Sequence, residues 1–88
     1  MGGFYINKAI KPDDLVWSVR LTDGTAPEEQ SFCDHARHHG AEKTANGVVE
    51  GIKLLDTYFR HEDADAARDF FELVRQKFGN KVRMDRLW

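Results

Sequence analysis

The chain has 88 residues, 41% of them apolar, with six Phe, one Cys and a formal charge of -2. That length supports one small domain over 1–88 built on a single two-layer core. The slightly acidic balance excludes a general polyanion binder, whose affinity rests on Lys and Arg neutralising phosphates. A lone cysteine excludes an internal disulfide and fits a reducing compartment. No apolar run approaches the roughly 18 to 20 residues of a membrane span, and the N-terminus lacks the pattern of a signal peptide. The expectation is a cytoplasmic protein with no membrane attachment.

In chain order, Phe4 to Ile10 has the aromatic and β-branched content of a short strand, and Lys11-Pro12-Asp13-Asp14 breaks it. Leu15 to Leu21 alternates. Leu15, Trp17, Val19 and Leu21 are expected on one face, with Val16, Ser18 and Arg20 on the other. Thr25-Ala26-Pro27-Glu28 opens a helix with a capping box, and the helix should run from about Ala26 to His39 and close on a left-handed Gly40.

Ala41 to Phe59 reads as a hairpin turning at Asn46-Gly47, the pair that best tolerates two positive φ angles, with Gly51 marking a bulge in the second arm. Residues 63–78 form the clearest helix. Ala67, Phe70, Phe71, Val74 and Phe78 follow helical spacing, Asp63 or Asp65 caps the start, and Gly79-Asn80 ends it. Lys81 to Trp88 alternates as a last strand, with Val82 and Met84 opposite Arg83 and Asp85. The order predicts an α+β fold, a ferredoxin-like βαββαβ two-layer sandwich. Its antiparallel sheet would carry two helices on one face and an extra N-terminal strand.

The stretch "SFCDHARHHG", residues 31–40, holds the cysteine and three of the four histidines. On a helical wheel with Phe32 at zero, Ala36 and Cys33 fall at about 40° and 100°, and His39, His35 and His38 at about -20°, -60° and -120°. Cys33 therefore turns toward the core, away from the imidazoles. His35 and His39, one turn apart, retain the geometry for a weak two-histidine metal site. The competing reading is a helix C-terminus at which histidines meet the last carbonyls. No Met-x-Cys-x-x-Cys, Gly-x-x-x-x-Gly-Lys or Gly-x-Gly-x-x-Gly pattern is present, so no cofactor is expected.

Function is expected on the sheet face that the helices leave open, on an edge strand, on the histidine-bearing helix end or on the acidic second helix. The first reading is a small non-enzymatic protein-binding regulator or inhibitor, of the kind phages and bacteria use against defence or nucleic-acid-processing machinery. It would present Asp63, Asp65, Asp69 and Glu72, with Glu62, to a partner's basic surface, and Arg20 and Tyr58 from the sheet. Dimerisation of the chain through its sheet belongs to the same reading. The second reading is RNA binding by Arg20, Tyr58, Lys81 and Arg83. Against it, the RNA-recognition motif's glycine-and-aromatic signature is missing from "GIKLLDTYFR", and Asp56 would repel phosphate.

Overall fold

The computed structural model describes residues 15–87, and the strand expected over Phe4 to Ile10 lies outside them. The order of elements is β1 (Trp17–Thr22), α1 (Ala26–His38), β2 (Lys43–Val49), β3 (Ile52–Phe59), α2 (Ala64–Phe78) and β4 (Val82–Arg86). Short 3-10 turns at His61–Asp63 and Gly79–Lys81 bracket α2. The strands make one antiparallel sheet in the order β2-β3-β1-β4. Each helix therefore joins two parallel strands that have one strand between them.

Both helices cover one face of this sheet. Val19, Leu21, Leu55, Phe59 and Val82 point to that side and pack with Phe32 and Ala36 of α1 and with Ala67, Phe70 and Val74 of α2. Phe70 is the hinge of the packing, its ring 5.0 Å from Phe32 and 5.8 Å from Phe59. Burial of such rings supplies most of the driving force, about 1.5 to 3 kcal/mol for each large side chain removed from water.

α1 begins as the capping box requires. Thr25 Oγ1 accepts from the Glu28 amide at 3.3 Å, and Glu28 Oε1 accepts from the Thr25 amide at 2.8 Å. Gly40 takes φ +83°, the left-handed conformation expected after the helix. At α2 the expected cap is absent. Asp63 occupies the N-cap position without a side-chain hydrogen bond, because the chain arrives through a 3-10 turn in which the Asp63 amide donates to the Arg60 carbonyl.

Four further expectations change. The hairpin turns at Glu50-Gly51, with φ +53° and +81°, and Asn46-Gly47 lies inside β2 opposite Leu55 and Leu54. This later turn pairs every residue from Lys43 to Val49 with β3, whereas a turn at Asn46-Gly47 would leave most of β3 without a partner on that side. Gly51 is thus a turn residue and no bulge. Leu15 leaves the alternation: it precedes β1 and packs with Tyr58 and Ala45 on the side away from the helices. Lys81 lies in the 3-10 turn before β4, off the sheet.

Candidate functional site

The sheet face away from the helices carries two cross-strand rows. One runs Arg83, Arg20, Asp56, Ala45 and the other Asp85, Ser18, Tyr58, Lys43. A single carboxylate organises the centre. Arg20 Nε and Nη2 donate to Asp56 Oδ1 and Oδ2 at 2.9 and 3.3 Å, and the Tyr58 hydroxyl donates to Oδ2 at 3.0 Å. Asp56 is 2% exposed and Tyr58 3%. A buried carboxylate needs such compensation, since an unpaired one would be costly in a low-dielectric surrounding.

The hydrogen bond to Asp56 raises the Arg20 pKa, with burial acting against it. Burial, reinforced by the Asp56 charge, pushes the Tyr58 phenol above the ordinary tyrosine value. Tyr58 therefore stays a neutral donor through the whole physiological range. Its ring is buried, packed with Leu15 and Ala45, so a base could stack on Tyr58 only if that packing moved aside. Arg83 is exposed on the same face, and its guanidinium lies 3.7 Å from Asp85.

The other residues singled out in the sequence are dispersed. Lys81 Nζ reaches Glu28 Oε1 at 3.0 Å, tying the turn before β4 to the first turn of α1. Thr25 and Lys81 together hold the Glu28 carboxyl below its ordinary pKa. The Arg20, Tyr58, Lys81 and Arg83 set therefore does not converge on one surface.

The histidines part as well. His39 caps α1, its ring 5.7 Å from Phe70 and its Nδ1 2.9 Å from the His35 carbonyl oxygen. That oxygen can only accept, so the bond needs the Nδ1–H tautomer and leaves Nε2 as the available donor atom for a metal. Among the described residues, no three His, Cys, Asp or Glu side chains are grouped to hold an ion. Cys33 packs half-buried against the core, and burial raises its thiol pKa.

The acidic residues of α2 do share a surface. Asp65, Asp69 and Glu72 are exposed and fall within a sector of about 60° on the helix, opposite Ala67, Phe70 and Val74. Arg68 flanks the stripe, its Nη1 3.7 Å from Asp65 Oδ1. Among the described residues, Asp69 and Glu72 make no ion pair. Asp63 is half-buried at the head of the helix and Glu62 is exposed beside it.

Sequence reasoning treated Asp56 as an obstacle to phosphate and missed it as the centre of the far face. A signal was present. A carboxylate within "IKLLDTYF", a strand otherwise rich in apolar residues, implies burial and a cationic partner, and Arg20 is the one base in Leu15 to Leu21. Comparison with family models, curated proteins and solved structures returned no match. No helix among the described residues is long and apolar enough to cross a membrane.

Proposed function

We propose that this protein is a small non-enzymatic binding protein, a regulator or inhibitor that presents the acidic stripe of α2 to a basic surface on a protein partner. The observation that carries the reading is the stripe itself. Asp65, Asp69 and Glu72 project together from a rigid helix whose opposite face is locked into the core through Ala67, Phe70 and Val74. Preorganised like charges on one helix steer an oppositely charged partner and raise its association rate, more than they add to affinity. A surface built to bind nucleic acid has the matching chemistry. We read the fold separately as a ferredoxin-like βαββαβ sandwich, in accord with each helix crossing between parallel strands that have one strand between them.

The experiment is affinity capture from native host extract with wild type and with Asp69→Lys/Glu72→Lys, each with and without nuclease. The reading expects a protein partner recovered by wild type, lost with the double variant and retained after nuclease. Retention by the variant overturns it, and loss on nuclease treatment of the wild-type sample transfers the assignment to RNA binding.

A further inference from the structure

The far face of the sheet is buried although both helices lie on the other side. Val16, Ser18, Leu54, Asp56 and Tyr58 point away from the helices, and each is between 2% and 8% exposed. An antiparallel sheet covered on one face commonly leaves the other to water. Strand β2 shows the contrast most plainly: Thr44, Asn46 and Val48 on its helix side are exposed, whereas Ala45, Gly47 and Val49 on its far side are half-buried. Burial is deepest over β1 and β3 and fades to exposed Lys43 and Arg83 on the outer strands. The protected strip is therefore about two strands, or roughly 10 Å, across, the width of one further segment of chain.

No described helix or strand supplies that cover. Fourteen residues precede Leu15, and Leu15 itself already lies on the far face, packed with Tyr58 and Ala45, so the preceding chain meets the sheet on this side. At about 3.3 Å per residue, fourteen residues can reach roughly 45 Å, more than the roughly 26 Å that the eight residues of β3 span. Their chemistry suits an apolar surface: Phe4, Tyr5, Ile6, Ala9 and Ile10 are apolar or aromatic. Lys11-Pro12-Asp13-Asp14 places turn residues just before Leu15, where the chain has to reverse to pass back over β1 and β3. The burial is complete within one chain, which leaves no need of a second copy.

We propose that residues 1–14 of the same chain are the partner of this face, the apolar run Phe4 to Ile10 lying over Val16, Leu54 and Tyr58. The sheet is then an interior layer with cover on both sides. Asp56 and its bonds from Arg20 and Tyr58 become an internal polar cluster, which accounts for a carboxylate held out of water and fully hydrogen-bonded. A nucleic acid could reach this face only by displacing the segment.

The test is paramagnetic broadening of amide resonances in the full chain, with a nitroxide on Asn7→Cys in a Cys33→Ser background. Broadening of Ser18, Leu54, Asp56 and Tyr58 is expected, with Glu72 and Gln76 on the outer side of α2 left sharp. The same resonances should stay sharp when isotope-labelled wild type is mixed with unlabelled, spin-labelled chain. Broadening on α2 instead, no broadening at all, or broadening in the mixed sample, which would assign the cover to a second copy, overturns the proposal. As an independent measurement, Ile6→Asp/Ile10→Asp should lower the urea midpoint and admit a hydrophobic dye, whereas Val48→Asp, at an exposed position on the helix side, should do neither. A double variant with the wild-type midpoint and no dye binding overturns the proposal as well.

Discussion

Asp56 and Arg20 are unequal members of their pair, and the difference sets the outcome of substitution. Arg20 retains 33% side-chain exposure and can reach water, whereas Asp56 cannot. Arg20→Met should therefore cost about 3 kcal/mol in urea unfolding, because it strands a buried carboxylate. Asp56→Asn, which keeps an acceptor for Tyr58, should cost only about 1 kcal/mol. Equal costs would mean that the carboxylate is hydrated.

Tyr58 adds a pH dependence with a definite sign. Its folded-state pKa is raised above the unfolded value of about 10, so its contribution is fully present below that pH and is lost as the solution becomes more alkaline. The unfolding free energy of wild type should fall above about pH 10, and Tyr58→Phe should flatten that limb. An unchanged slope would remove the buried phenol from the account. These roles were half legible in the sequence. The alternation of Leu15 to Leu21 put Arg20 on the far face, but its partner stands 36 residues away and no local pattern connects them.

Elements fixed by local chemistry were the readable ones. Thr25, Pro27 and Glu28 announce the start of α1, and Ala67, Phe70 and Val74 announce the buried side of α2, because a capping box and a helical stripe are complete within a few residues. The hairpin was misread for the opposite reason. Asn46-Gly47 is the better turn dipeptide, yet pairing all of β2 with β3 outweighs a local preference worth about 1 kcal/mol.

The turn therefore has a clear signature at Glu50-Gly51. Glu50→Asn should stabilise the chain by about 0.5 kcal/mol, since Asn tolerates positive φ. Gly51→Ala at φ +81° should destabilise it by about 1 kcal/mol, read from thermal or urea midpoints. The cap of α2 is absent because Asp63, the last residue of the 3-10 turn, has φ -101° and ψ 30°, outside the extended conformation from which Thr25 caps α1.

At the scale of the whole molecule, the paired charges and the outward-facing ones lie on different elements. Arg20 is paired with Asp56 and Lys81 with Glu28, while Asp69 and Glu72 on α2 face outward without an ion pair among the described residues. Binding through that surface should weaken with added salt, since charges this exposed are screened over roughly 8 to 10 Å at physiological ionic strength. The most direct test is carbodiimide cross-linking of the captured complex, which joins carboxylates to amines in contact, followed by mass spectrometry of the linked peptides. Cross-links from Asp65, Asp69 or Glu72 to lysines of the partner are the predicted result. Cross-links confined to carboxylates elsewhere, such as Glu42 or Asp85, would contradict it.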